Sequence, residues 1–88
     1  MKVIFYKSFL QDLKKLKDKK LKEKVKSFIL KVENAATLEE VPNIKKLKGY
    51  SIAYRAKIQE YRLGMYKEDD TVEMVRFVKG NDIYKLFP

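Results

Sequence analysis

Apolar residues recur along this chain with two different periods, and the places where the period changes delimit the elements. Residues 2–6, KVIFY, are a short run of β-branched and aromatic side chains and predict a strand. From Ser8 the spacing is helical: Phe9, Leu13 and Leu16 lie four and three apart. After Asp18 the series Leu21, Val25, Phe28, Ile29, Val32 continues on a shifted phase. The shift predicts two helices forming a hairpin broken near Asp18, although one bent helix satisfies the same pattern. Ser8 and Gln11 form the S-x-x-Q signature of a capping box, so Ser8 is expected to open the first helix.

Residues 37–43, TLEEVPN, hold a second capping box, Thr37 with Glu40, cut short by Pro42; a loop or one helical turn is expected. Beyond Gly49 the period becomes two. Ile52, Tyr54, Ala56 and Ile58 fall on one face, Ser51, Ala53, Arg55 and Lys57 on the other. Tyr61, Leu63 and Met65 against Arg62, Gly64 and Tyr66 repeat the alternation, and KEDD at 67–70 makes a turn into a third strand, residues 71–79. Gly80, Asn81 and Asp82 then punctuate, leaving IYKLFP as a tail or short helix. The order β-α-α-β-β-β predicts an α+β fold: an N-terminal strand and an α-helical hairpin packed on one face of an antiparallel sheet, the other face left open. With no internal repeat or linker, residues 1–88 are expected to form a single domain.

Composition narrows the function. A 45% hydrophobic fraction with 12% aromatics belongs to a folded globule. The absence of cysteine excludes a disulfide framework and a thiolate metal site, and no apolar run approaches the roughly 20 residues of a membrane span. A cytoplasmic protein is expected, with neither metal nor cofactor. The 21 Lys and Arg outnumber the 12 Asp and Glu for a net charge of +9, which calls for an anionic partner. Much of that charge lies on the helices, at Lys14, Lys15, Lys17, Lys19, Lys20, Lys22, Lys24 and Lys26. These read as a solvated face whose long stems cover the apolar stripe while adding to a positive field.

The candidate chemistry is on the sheet. Alternation puts Arg55 and Lys57 on the open face, and the next strand can bring Arg62 beside them. Like charges side by side repel, so the cluster is expected to be completed by an anion. Tyr54 and Tyr61 fall on the core face and read as packing, Glu60 as a turn residue or a partner of Arg62. Arg76 alternates onto the core side of its strand, where a structural ion pair, a rim position and a nucleic-acid contact are all open. Tyr84, beside Ile83 and Phe87, fits packing or function equally well.

Three blocks, KSFLQDLKKL, NIKKLKGYSIAYRAKIQEYRLGMY and VRFVKGNDIYKLFP, together resemble the RelE/ParE superfamily of bacterial toxins from toxin–antitoxin pairs. The resemblance implies a small sheet with a helical hairpin and, in the RelE branch, an endoribonuclease that cleaves messenger RNA on the ribosome and is held by a cognate antitoxin. It implies that Arg55 and Lys57 are the two alternating cations of the basic strand, that Arg62 is the transition-state arginine, and that Tyr84 stacks on or positions a base. Many members follow the last strand with a His-Arg or Lys-Arg pair; this chain has Lys79 followed by Gly80, so the expected catalytic set is Arg55, Lys57, Arg62, Lys79 and Tyr84. Lys45, Lys46, Lys48 and Arg76 are the expected RNA contacts.

The residues suit that chemistry. A ribonuclease of this kind must deprotonate a 2′-OH, neutralise a pentacoordinate dianion and protonate the leaving oxygen. The chain has no histidine. A lysine crowded by guanidinium groups is pushed toward its neutral form, which makes Lys57 the candidate base. Arg62 suits the dianion because guanidinium stays charged and binds phosphate bidentately. Two other functions fit the same family: a ParE-like poison of a DNA topoisomerase, and an inactive member that retains antitoxin binding.

Overall fold

The computed structural model describes residues 1–88. Its elements are β1 (Lys2–Phe5), α1 (Lys7–Lys14), α2 (Lys19–Asn34), a 3₁₀ turn (Leu38–Glu40), β2 (Ile44–Lys46), β3 (Ala53–Ile58), β4 (Tyr61–Glu68), β5 (Thr71–Lys79) and α3 (Ile83–Leu86). Asp18 breaks the hairpin because it caps α2. Its carboxylate accepts from the backbone N–H of Lys20 at 3.0 Å and of Leu21 at 3.2 Å, satisfying donors that the first turn of a helix leaves free.

The five strands lie in the order β1-β5-β4-β3-β2. Strands β2 to β5 form the expected antiparallel meander, with β2 an addition too short to carry an alternation signal. The edge strand β1 differs from expectation: it pairs parallel with β5, Val3 opposite Val72 and Phe5 opposite Met74. The helical hairpin carries the chain from one edge of the sheet to the other, and the meander then returns it to β1. Phe9, Leu16, Leu21, Val25, Phe28 and Val32 of the helical layer are buried against Ala56, Ile58, Leu63, Met65, Val72, Met74 and Phe77 of the sheet.

A bulge in β5 redirects its side chains. Gly64 pairs with Arg76 and Met65 with Met74, so Val75 is the extra residue. Met74 and Phe77, three apart, therefore both reach the main core, and Arg76 leaves the core side that plain alternation assigns to it.

α1 completes the edge of β5 beyond the end of β1. The Ser8 hydroxyl donates to the Val75 carbonyl at 2.6 Å, next to the bulge. Ser8 is therefore not a cap; Tyr6 holds that position without a side-chain bond. Thr37 likewise makes no capping bond, and only the Glu40 carboxylate acts, accepting from Ala36 N–H at 3.0 Å.

The second face of the sheet is only half open, which corrects the expectation of a bare face. Ala53, Val75, Ile83 and Phe87 form a small buried cluster there. The Phe87 ring lies flat over Gly64, where a Cβ would come within 2.6 Å of it. A hydrogen at position 64 is thus what admits the ring. Gly64→Ala is expected to displace Phe87 and cost about 1–3 kcal/mol, the usual penalty for overpacking, read from the urea midpoint. Adding Phe87→Ala should make the alanine at 64 nearly harmless, and two additive effects would show that the ring and position 64 do not interact.

Candidate functional site

Where the second face stays open, strand register gathers the cations. Lys45 of β2 is opposite Arg55 of β3, and Lys57 of β3 is opposite Arg62 of β4. Opposed residues of an antiparallel pair share a face, and Arg55 and Lys57 are two apart. All four therefore stand together. They line a hollow of about 480 Å³ with Asn43 and Ile44, and no carboxylate borders it. The sole ion pair of the protein, Asp12 with Arg76, is elsewhere, so charge repulsion in the hollow is relieved by no acidic side chain.

Arg62 is held at its base. Its Nη1 donates to the carbonyls of Tyr61 at 2.9 Å and Gln59 at 3.2 Å, which leaves Nε and Nη2 without a protein acceptor. Gln59 presents its carbonyl from the two-residue β3–β4 turn, with φ at +56°. Gly80 donates to the carbonyl of Glu60 at 2.8 Å, and a Cβ on it would lie 3.5 Å from Arg62 Cζ. Arg62 thus rests against Gly80. Glu60 contributes only as a turn residue; it does not pair with Arg62.

Tyr84 reaches the cluster from α3. Ile83 and Phe87, one turn apart, are 2% and 3% exposed, whereas Tyr84 between them is 70% exposed. The buried pair anchors the segment and the outward side delivers the phenol to Arg55, whose Nη1 donates to the Tyr84 hydroxyl. The guanidinium carbon also lies 5.3 Å from the ring centroid, within cation–π range.

Several expected site residues lie elsewhere. Lys79 is opposite Tyr61, whose ring stacks on Phe77 in the core at 5.0 Å. Period two therefore sends Lys79 to the far side, and Val78 takes the place beside Arg62. Lys46 is opposite Tyr54 and, with Glu39, borders a hollow on the helix side. Lys48 is exposed in the turn after β2. Arg76 is committed to Asp12, with Nε at 2.8 Å and Nη2 at 3.1 Å from its carboxylate oxygens, so it serves as a structural ion pair. Asn43 was not anticipated; it follows Pro42, adopts φ of +67° and lines the hollow. A Pro-Asn dipeptide before a basic run is the one sequence cue that marks it.

Residues 3–84 match the family model described as the ParE toxin of type II toxin–antitoxin systems, parDE. Over the full length of both proteins the chain is 35% identical to toxin RelE3 of Methanocaldococcus jannaschii, across 89 aligned residues. It resembles the RelB–RelE antitoxin–toxin complex from Methanococcus jannaschii with a TM-score of 0.82 at 32% identity, covering 97% of this chain and 99% of that one. The intact E. coli RelBE complex shares the fold, with a TM-score of 0.71 at 24% identity over 90% of this chain and 95% of that one. A match that spans almost the whole chain, with the same strand, helical hairpin and sheet, makes this protein a member of the RelE/ParE family, the toxin component of a type II toxin–antitoxin system.

Proposed function

We propose that this toxin is a metal-independent endoribonuclease of the RelE type, cleaving messenger RNA on the ribosome and so inhibiting translation. The observation that carries the reading is the shared, carboxylate-free hollow of Arg55, Lys57 and Arg62, with Tyr84 against Arg55. Lys57 takes the 2′-OH proton, and the oxygen attacks the adjacent phosphorus. Arg62, through its free Nε and Nη2, binds the dianion that forms. Arg55 and Lys45 neutralise neighbouring phosphates, and the exposed Tyr84 ring stacks on a base. Lys79 faces the other side of the sheet, so the leaving 5′-oxygen takes its proton from water. A positioned acid is worth roughly 10²- to 10⁴-fold, so the enzyme is slow by that margin and still toxic.

Induced expression is expected to leave transcripts cut within codons, bearing 2′,3′-cyclic phosphate ends. Lys57→Ala should lower cleavage roughly 10²-fold. Growth arrest with broken DNA and intact transcripts would replace the reading with topoisomerase poisoning.

The cognate partner is an antitoxin, in keeping with the antitoxin–toxin complexes above. Exposed Ile4 and Phe5 lie on β1, whose outer edge is free, which offers apolar anchors beside main-chain donors and acceptors. The pair is therefore expected to stay together by gel filtration in about 1 M salt, where exposed charge pairs are screened beyond about 3 Å. Complete dissociation there would mean charge alone joins them.

A further inference from the structure

A second hollow adjoins the site. It has a volume of about 280 Å³ and lies between α2, residues 41–43 ahead of β2 and the end of β3, bordered by Lys24, Ser27 and Lys31 over a floor that includes Phe28 and Ile58. The two hollows share Asn43 and Lys57. Lys57 N–H donates to the Asn43 carbonyl at 3.0 Å, fixing the saddle between them. Lys24 and Lys31 are two helical turns apart, about 10 Å along the axis, with Ser27 on the same face between them. No Asp or Glu borders either hollow, although the chain has 12.

We propose that an RNA strand held at Arg55, Lys57 and Arg62 continues over the Asn43–Lys57 saddle, and that Lys24, Ser27 and Lys31 bind one or two of its flanking phosphodiesters. This rests on the ribonuclease reading above. The lysines supply charge and the Ser27 hydroxyl a donor, a combination that holds a phosphate backbone without reading sequence. The apolar floor lies where the stems of Lys24 and Lys31 can rest on it, heads toward the strand. The subsite differs from the diffuse field of the other helix lysines in having a face: Lys22 and Lys26, on the same helix, are turned about 200° from Lys24.

That difference supplies the test. Uncleavable 2′-O-methyl RNA is titrated, as a trimer and as an octamer, with the full-length toxin, and binding is followed by fluorescence anisotropy over a range of salt. Lys24→Ala/Lys31→Ala is expected to weaken the octamer about tenfold, leave the trimer unchanged and lower the salt slope by about 1.4, the share of two single-strand phosphates. Lys22→Ala/Lys26→Ala, the same change of charge on the wrong face, should shift octamer binding less than about threefold. Both variants are checked for the wild-type melting midpoint. Equal weakening of trimer and octamer, equal effects of the two double variants, or an unaffected octamer overturns the subsite while leaving the ribonuclease reading intact. A wild-type toxin that binds neither oligomer overturns both.

Discussion

Arg62→Ala is expected to abolish growth arrest and to cut transcript cleavage by roughly 10²-fold or more, while RNA or ribosome binding changes little. The geometry supplies the reason. One nitrogen of the guanidinium is tied to the turn carbonyls of Gln59 and Tyr61, so the fork is oriented before substrate arrives, and Nε and Nη2 remain for the charge that grows at the transition state. Arg62→Lys should fail almost as badly, since an ammonium offers a point charge in place of two parallel donors. Grouped alanine substitutions of the helix lysines should do the reverse, weakening binding and flattening its salt dependence with the chemistry nearly intact. Stability is not the confounding factor: Arg62 makes two hydrogen bonds at a partly exposed turn and no ion pair, so its loss costs about 1–2 kcal/mol. A folded Arg62→Ala protein that cuts transcripts at the wild-type rate would remove Arg62 from the site.

The same contrast between local pattern and long-range placement governs what the sequence revealed. Arg55, Lys57 and Arg62 were legible because a half-buried strand alternates strictly, and Ala56, Ile58, Leu63 and Met65 mark the core side without ambiguity. The hairpin break was legible as a phase shift, and Asp18 supplies its cause. Lys79 was misplaced by one residue of parity because the bulge at Val75 exchanges the faces of every later residue of β5, which turns Lys79 from the open face to the helix side. Arg76 was misplaced because a one-residue bulge is silent in TVEMVRFVK, where valines on both faces keep the alternation looking regular. The Phe87 cover over Gly64 and the parallel pairing of β1 join residues far apart in the chain, which no local window contains. Ser8 shows how tertiary demand overrides a local motif. The carbonyl freed at the bulge of β5 captured the hydroxyl that the capping pattern assigns to the helix.

The bulge also explains why Asp12 carries the largest expected effect on stability. With β1 ended at Phe5, the remaining edge of β5 needs hydrogen-bond partners, and Asp12 of α1 provides them: it accepts from the backbone N–H of Phe77 at 2.9 Å and from two nitrogens of Arg76. Asp12 is 6% exposed. Asp12→Ala would strand a buried amide and leave Arg76 without its counter-charge, at an expected cost of about 3–5 kcal/mol, the usual loss when one partner of a buried pair is removed. A chain of this length is stable by only about 4–13 kcal/mol, so a large share of the fold's margin is at stake. Asp12→Asn keeps an acceptor for Phe77 and should lose less. Replacing both partners together, Asp12→Leu with Arg76→Met, should recover much of the loss, because apolar packing exchanges well for a buried ion pair. The urea midpoint checks all three, and a loss under about 1 kcal/mol for Asp12→Ala would mean that α1 is not pinned to β5 through this carboxylate. Cleavage per folded molecule should stay at the wild-type level in the Asp12 variants, since Asp12 does not border the hollow of Arg55, Lys57 and Arg62. Arg62→Ala is expected to give the opposite result, a stable fold without chemistry, and comparing the two variants separates the residues that hold the sheet from those that act on RNA.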